Sequence, residues 1–183
     1  PQYAYCLGHE PAYASLPRIF RALSQHLMLC VEIKLFCSGN EHPISSLIRR
    51  TLVEVNATDC PSHEIAYLYG KYEPDTIAEI AKAGHTYVLW HDGKIIGCGS
   101  VVPDENTPEI VAAFLIPEYI GRGYGRKLFE VLESDELCTI AGRVWLTSSV
   151  TATPFYEKMG YTYRFGYRNR GGEDNLIEME KNL

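Results

Sequence analysis

The chain has 183 residues, with 17 Lys and Arg against 23 Asp and Glu, and 46% of its residues are hydrophobic. This composition is typical of a globular protein with one domain and one core, and it excludes collagen, long coiled coils and intrinsic disorder. The formal net charge of -6 disfavours a general nucleic-acid binder, because a polyanion would be repelled at long range.

The six cysteines and six histidines show no metal-binding spacing, because neither C-x-x-C nor H-E-x-x-H occurs. We therefore expect no metal site. Reduced thiols in a cytoplasmic protein are the simplest interpretation, although an even number of cysteines leaves disulfides open. No apolar run reaches the roughly 18 residues that a membrane span requires, so we expect no membrane partner.

The first half of the chain predicts an N-terminal extension, a strand and helices. Residues 1–30 form the extension, with helical spacing of apolar residues from Tyr13 onward. A half-buried strand is predicted at 31–36. A helix begins at Pro43, and a second helical stretch covers 63–83 with an interruption near Pro74. The apolar stripe of the first helix is Ile44, Leu47, Ile48, Leu52 and Val55.

From residue 86 the apolar period changes from 3.6 to 2. Residues 86–90 and 95–102 predict a hairpin, because Asp92-Gly93 suits the two-residue turns that match strand twist. The further predicted elements are a buried strand at 109–116, a helix at about 125–136, a strand at 144–148, a short helix capped by Ser149 or Thr151 and ending at Met159, and a final hairpin of 161–167 and 175–180. Hairpins and strand-helix-strand units are therefore mixed in one α/β fold.

The loop I-G-R-G-Y-G at 120–125 lies between the buried strand and a helix. Its glycines can turn successive amides toward one point, and the positive helix N-terminus favours a phosphate there. Arg122 and Arg126 can add charge-assisted hydrogen bonds. A tight connection without a ligand stays the alternative. The spacing fits neither the P-loop nor the Rossmann fingerprint.

The run F-Y-E-K-M-G-Y at 155–161 lies on the short helix, where aromatic residues in isolation indicate core packing. Together, the two motifs resemble those of the GNAT superfamily of acyl-CoA-dependent N-acetyltransferases. Its motif A has the form Q/R-x-x-G-x-G/A, and its motif B ends in a run like F-Y-E-K-L-G-F. Ile120 departs from the usual Gln or Arg of motif A. The resemblance covers residues 31–183, which we predict to be the GNAT domain.

The resemblance implies a mixed α/β (α+β) sheet that is mostly antiparallel, with helices on both faces. Its fourth and fifth strands, 109–116 and 144–148, would be parallel and would splay apart around pantetheine. The cosubstrate would be acetyl-CoA, and no metal is implied. The thioester oxygen would accept a hydrogen bond from a main-chain amide near Ala113, Phe114 or Leu115. The implied cofactor-binding residues are Phe114, Leu115, Ile116, Gly121, Arg122, Gly123, Tyr124, Gly125 and Arg126.

Two further residues match catalytic groups of the superfamily. Tyr156 resembles the general acid that protonates the departing thiolate, and Glu109 occupies the place of a general base in some members. Four extended residues between Glu109 and Ala113 span about 13 Å, so the base would need a bulge or a water chain. A strand-end surface carboxylate is the alternative for Glu109.

The resemblance predicts an N-acetyltransferase that moves acetyl to a primary amine of a small molecule or a protein by direct attack. A non-catalytic CoA-binding sensor or interaction module is the alternative. The acceptor pocket would use tyrosines, although amphipathic packing explains them equally well. The candidates are Tyr67, Tyr69, Tyr72, Tyr161, Tyr163 and Tyr167. Nucleic acid and membrane are not expected as partners, and a homodimer stays open.

Overall fold

A mixed β-sheet forms the centre of the protein. The computed structural model describes residues 31–58, 60–105, 107–168 and 176–183. The predicted N-terminal extension, residues 1–30, lies outside the described residues. The strands are β1 (Val31–Leu35), β2 (His85–His91), β3 (Lys94–Val102), β4 (Glu109–Leu115), β5 (Arg143–Ser148), β6 (Thr162–Tyr163) and β7 (Ile177–Asn182).

The seven strands of the described ranges follow the order β1-β2-β3-β4-β5-β7-β6. Strands β4 and β5 run parallel. The pairs β2–β3, β3–β4, β5–β7 and β6–β7 are antiparallel. Residues Glu32–Leu183 belong to one compact unit.

Helices cover both faces of this sheet. The α-helices are α1 (Glu41–Glu54), α2 (Ser62–Lys71), α3 (Pro74–Ala83), α4 (Tyr124–Glu133), α5 (Glu136–Ala141) and α6 (Thr153–Lys158). On one face, Ile48 of α1 and Ile77 of α3 share a buried cluster with Cys98 and Ala112 of the sheet. On the other face, Leu132 of α4 lies directly over β3. The predicted fold class, with parallel fourth and fifth strands and helices on both faces, is confirmed.

Two helix boundaries differ from the prediction. Helix α1 begins at Glu41, two residues before the predicted start at Pro43. Helix α4 ends at Glu133, because the Asp135 carboxylate accepts the Leu137 N–H at 2.9 Å and begins α5 as its N-cap. The predicted single helix to residue 136 is therefore two helices.

The predicted hairpin of β2 and β3 is confirmed, with positive φ angles of 49° at Asp92 and 71° at Gly93. This is the backbone that a two-residue primed turn requires. The final hairpin is shorter than predicted, because β6 pairs with β7 only at Thr162 and Tyr163, and a turn follows. None of the helices in the described ranges has the length and apolar composition needed to cross a bilayer.

Candidate active site

A gap between β4 and β5 is the main candidate for a binding groove. The two parallel strands pair only where Glu109 faces Trp145 and Ile110 faces Leu146. On its opposite edge, strand β5 pairs with β7 along its full length, from Arg143 to Ser148. Beyond Ile110 the polar groups of β4 on the β5 side have no strand partner in register, so this part of the strand is able to bind an extended ligand.

A β-bulge in β4 lies where the two strands separate. Val111 is opposite Ser100, but Phe114 is opposite Cys98, so Ala112 and Ala113 together face the single residue Gly99. Ala112 has a φ of 52°, in the left-handed region. Such a conformation costs a non-glycine residue about 1–3 kcal/mol and often occurs at functional sites.

The bulge also exchanges the directions in which the β4 amides point. The carbonyl oxygen of Pro108 accepts the Trp145 N–H at 3.1 Å, so even-numbered residues before the bulge face β5. After the bulge, the Ile116 N–H donates to Ile96 O of β3 at 2.9 Å. The residues that face the gap are therefore Ala113 and Leu115. The other two predicted contacts on this strand, Phe114 and Ile116, have main chains directed at β3, and their role stays a prediction.

The glycine loop closes one end of this gap. After a short 3₁₀ turn at Pro117–Tyr119, Gly121 has a φ of 78° and Gly123 a φ of 86°. Gly123 is the N-cap of α4, and the first intrahelical bond runs from Lys127 N–H to Gly123 O at 3.2 Å. The amides of Gly125 and Arg126 therefore have no acceptor within their own helix and point out of its N-terminus. This geometry suits an anion.

Aromatic side chains support the loop on both sides. Tyr119 and Tyr124 pack on each other with ring centroids 5.4 Å apart, and Tyr119 OH shares a hydrogen bond with His91 Nδ1 at 3.1 Å. The guanidinium of Arg122 lies over the Tyr119 ring at 5.7 Å. Arg122 and Arg126 are both exposed, so their charges are available to a ligand at the loop.

Tyr156 lies on α6 in a cluster of aromatic rings. Its ring centroid is 5.2 Å from that of Phe129 on α4 and 5.3 Å from that of Phe155. An ideal Cβ on Gly125 would lie 3.3 Å from the Phe155 ring, so α6 packs directly on the first turn of α4. Burial raises the pKa of the Tyr156 phenol well above its ordinary value. The hydroxyl therefore stays protonated at neutral pH and is able to donate a proton.

Comparison with known proteins identifies this arrangement. Residues 82–163 match the family model of the acetyltransferase (GNAT) domain. This segment is similar to GNAT domains. The matched segment includes β4, the glycine loop and Tyr156, which are the elements of the candidate groove. By sequence, no curated protein matches the chain.

Solved structures share the GNAT fold with this chain. PaiA N-acetyltransferase from Thermoplasma acidophilum, in complex with coenzyme A, has a TM-score of 0.69 at 17% identity, over 85% of this chain and 100% of that one. The ribosomal-protein-S18-alanine N-acetyltransferase from Escherichia coli has a TM-score of 0.60 at 18% identity, over 84% and 94%. N-acetylglutamate synthase from Neisseria gonorrhoeae, with coenzyme A and N-acetyl-glutamate, has a TM-score of 0.59 at 17% identity, over 84% of this chain and 35% of that one.

Glu109 lies at the start of β4, before the strands separate. It is half-buried and is opposite both Val102 of β3 and Trp145 of β5. A bulge, one of the two features of which a role as general base would need at least one, is present at Ala112 and Ala113. Its part in catalysis stays a prediction.

The candidate tyrosines of the acceptor pocket do not form one wall. Tyr67 and Tyr69 are 42% and 43% exposed, and Tyr72 packs edge-on against Phe114 with ring centroids 5.5 Å apart. Tyr161 is only 2% exposed, and its ring contacts those of Phe129 and Tyr156. Tyr161 is therefore part of the core. In contrast, the guanidinium of Arg49 lies over the Tyr69 ring, 4.6 Å from the ring centroid.

Sequence reasoning missed the residues that shape the gap. Cys98 donates its thiol hydrogen to Ala112 O at 3.3 Å, and Thr51 donates to Leu115 O at the same distance. A signal for the bulge was present in β3, where Gly97 and Gly99 alternate inside a strand, because such glycines mark bulges or close backbone approach. In the described part of the chain, no His, Cys, Asp and Glu side chains group as a metal site would require.

Proposed function

We propose that this chain is an N-acetyltransferase that transfers acetyl from acetyl-CoA to a primary amine of a small molecule or a protein. One observation carries the proposal. The gap between β4 and β5 opens at a bulge that turns the main chains of Ala113 and Leu115 toward it, and an anion-binding helix start lies at its end. Acetyl-CoA has a thioester that suits the gap-facing main chain of β4 and a diphosphate that suits the start of α4.

The chain would hold acetyl-CoA chiefly through main-chain groups. The pyrophosphate would accept hydrogen bonds from amides of the loop from Gly121 to Arg126, and the exposed guanidinium of Arg122 would add charge. Pantetheine would pair with the gap-facing side of β4, and the thioester oxygen would accept from the Ala113 or Leu115 N–H. Similarity to structures described as coenzyme A complexes supports this assignment.

The amide at the bulge would supply the electrostatic part of catalysis. When the amine attacks the thioester carbon, negative charge grows on the carbonyl oxygen, and a fixed N–H stabilises it without reorganisation. The new C–N bond forms as the C–S bond breaks. The electron pair of the broken bond goes to sulfur, which then needs a proton.

Tyr156 would give that proton. Its phenol is buried against Phe129 and Phe155, and its raised pKa keeps it protonated at neutral pH, so it is able to donate to the sulfur as the C–S bond breaks. The acceptor arrives mostly as an ammonium and must lose a proton before its nitrogen attacks. Glu109 would accept it through water, because the carboxylate lies at the strand end that leads into the gap.

A primary amine as the acceptor is supported by two structural neighbours, one linked to a protein and one to a small molecule. One structural neighbour is described as an N-acetyltransferase of an alanine in a ribosomal protein, and another contains N-acetyl-glutamate. Within the residues that the structure describes, no single tyrosine wall selects between a peptide and a small molecule. The acceptor is therefore stated as a primary amine.

Two measurements test the proposal. Titration calorimetry with acetyl-CoA measures binding to the full chain, and a thiol assay measures CoA release with a panel of small amines and peptide N-termini. We expect micromolar binding and amine-dependent release. Binding without release for any amine would favour the CoA-binding sensor, and absence of binding would refute both functions.

A further inference from the structure

A buried thiol on β3 holds the bulge of β4. Cys98 is opposite Phe114 in the sheet and is 1% exposed. Its Sγ–H donates to Ala112 O at 3.3 Å, which is a hydrogen bond to the residue with the left-handed backbone. The carbonyl oxygen of Ala112 therefore accepts a hydrogen bond from a side chain of the neighbouring strand.

Ala112 differs from the other described non-glycine residues with positive φ. Asp92 and Glu105 lie in turns, where left-handed backbone is common, but Ala112 lies inside a central strand. For an L-residue this conformation brings Cβ close to the following carbonyl oxygen. It persists only where the surroundings determine it, and the bond from Cys98 is a direct restraint on the peptide unit that follows Ala112.

Two properties make Cys98 suitable as a permanent donor. Burial raises the pKa of its thiol to about 12, so the S–H remains present at all physiological pH values. The side chain also belongs to the core cluster with Ile48 and Val88, which leaves it little freedom to rotate away. A thiol is a weak donor, but a buried carbonyl that loses its donor is strongly disfavoured.

We propose that Cys98 is a positioning residue: its thiol keeps Ala112 left-handed and thereby aims the Ala113 N–H at the thioester oxygen of bound acetyl-CoA. The peptide unit of Ala112 and Ala113 contains both the carbonyl that Cys98 holds and the amide that faces the gap. The role of the Ala113 N–H toward acetyl-CoA rests on the proposed function, whereas the effect of Cys98 on the backbone of Ala112 does not.

Three variants of the full chain separate this role from general stability. Cys98→Ala removes the donor, and Cys98→Ser keeps a donor on a side chain of similar size. Cys138→Ala is the matched control, because Cys138 is also a buried thiol, 0% exposed, but lies on α5 away from the gap. Thermal unfolding reports the stability of each variant.

The ligand measurement compares acetyl-CoA with S-ethyl-CoA, which has a methylene in place of the carbonyl. We expect wild-type protein to bind acetyl-CoA about tenfold more tightly than S-ethyl-CoA, because one hydrogen bond to the oxygen is lost in the thioether. Cys98→Ala should reduce this ratio to about one while S-ethyl-CoA affinity is unchanged, and Cys98→Ser and Cys138→Ala should retain the tenfold ratio. A retained ratio in Cys98→Ala, or an equal loss in Cys138→Ala or Cys98→Ser, overturns the proposal.

A ligand-free measurement distinguishes failure of this inference from failure of the proposed function. The ¹³C chemical shifts of Ala112, measured by NMR, report its backbone conformation without any ligand. We expect left-handed values in wild-type protein and in Cys98→Ser, and extended values in Cys98→Ala. If wild-type protein binds neither CoA compound, the proposed function is wrong, and these shifts still decide the geometric claim; unchanged shifts in Cys98→Ala overturn it.

Discussion

The two sides of the gap between β4 and β5 are built from different parts of the chain. The side proposed to bind acetyl-CoA consists of main-chain groups, with the bulge at Ala112 and Ala113 and the left-handed glycines before α4. The side expected to bind the acceptor depends on side chains of α1 to α3 and the last hairpin, where the tyrosines have separate environments. A backbone-built site tolerates change in most side chains, whereas a side-chain site varies with each substitution.

The largest expected effect tests the backbone side. Gly123→Val should weaken acetyl-CoA binding on the order of 100-fold, because a β-branched residue disfavours the φ of 86° that directs the loop amides. The cause is the backbone alone, since no atom lies within 4 Å of an ideal Cβ at this position. Calorimetry with acetyl-CoA measures the change.

Gly39→Val is the matched control for this experiment. Gly39 has a φ of 99°, also has no atom within 4 Å of an ideal Cβ, and lies in the turn before α1. Each substitution should cost about 1–2 kcal/mol of stability. Equal loss of affinity in both variants would show that strain alone weakens binding and would contradict the loop assignment.

The second effect concerns the proposed general acid. Tyr156→Phe should lower kcat about 100-fold, because the thiolate would leave without a proton, while acetyl-CoA affinity changes little. Steady-state rates of CoA release test this. Tyr161→Phe, which removes a hydroxyl from the same aromatic cluster, should keep the wild-type rate. Similar rates for wild type and Tyr156→Phe would remove the assigned role.

A smaller effect is expected from substitution of the proposed general base, Glu109. Glu109→Gln should reduce kcat roughly tenfold at neutral pH and remove the acidic limb of the pH profile, because the amine then loses its proton to water. Glu130→Gln, on the exposed surface of α4, serves as the control. An unchanged pH profile would leave Glu109 as a surface carboxylate at a strand end.

The last prediction concerns the stability of the fold at alkaline pH, and its effect at neutral pH is the smallest. Burial, with a hydrogen bond to Asp135, raises the pKa of Tyr87 to about 12, and burial raises the pKa values of Tyr156 and Tyr161 further. The unfolded chain therefore releases these protons near pH 10, while the folded chain keeps them. We expect no effect below pH 10 and falling stability above it.

Ultraviolet absorbance of tyrosinate together with thermal unfolding between pH 8 and 12 checks this expectation. The three tyrosines should ionise only as the protein unfolds. Tyr161→Phe should make the alkaline loss of stability shallower. If all tyrosines ionise near pH 10 in folded protein, the burial of these phenols is wrong.

The parts predictable from sequence are those with a local cause. The Asp92-Gly93 turn follows from two residues that accept positive φ, and the glycine loop follows from residues whose spacing is visible in the chain. The break between α4 and α5 was missed although Asp135 caps Leu137, two residues further on. The hydrogen bonds from His85 and Tyr87 that hold this carboxylate in place come from β2, about 50 residues away.

The bulge was not predictable in the same way. Ala112 and Ala113 read as two more apolar positions of a buried strand, and their register depends on β3, a separate strand. Tyr161 was one candidate for the acceptor pocket, with packing as the alternative, and it lies in the core, because the Phe129 ring on α4 is its neighbour only after folding. Long-range pairing decides both cases, and the glycine signal for the bulge lies on the partner strand β3 instead of β4.

Gly99 allows the close approach of α4 to the sheet, so the residue at this position influences the distance between them. An ideal Cβ at this position would lie 2.8 Å from Leu132 Cδ1, so a larger residue would require the Leu132 side chain or the helix that carries it to move. Where the helix moves, its start moves with it, while every residue of the loop keeps its identity. Evolution or design can therefore alter the distance between the two ligand anchor points through one interior atom that never touches the ligand.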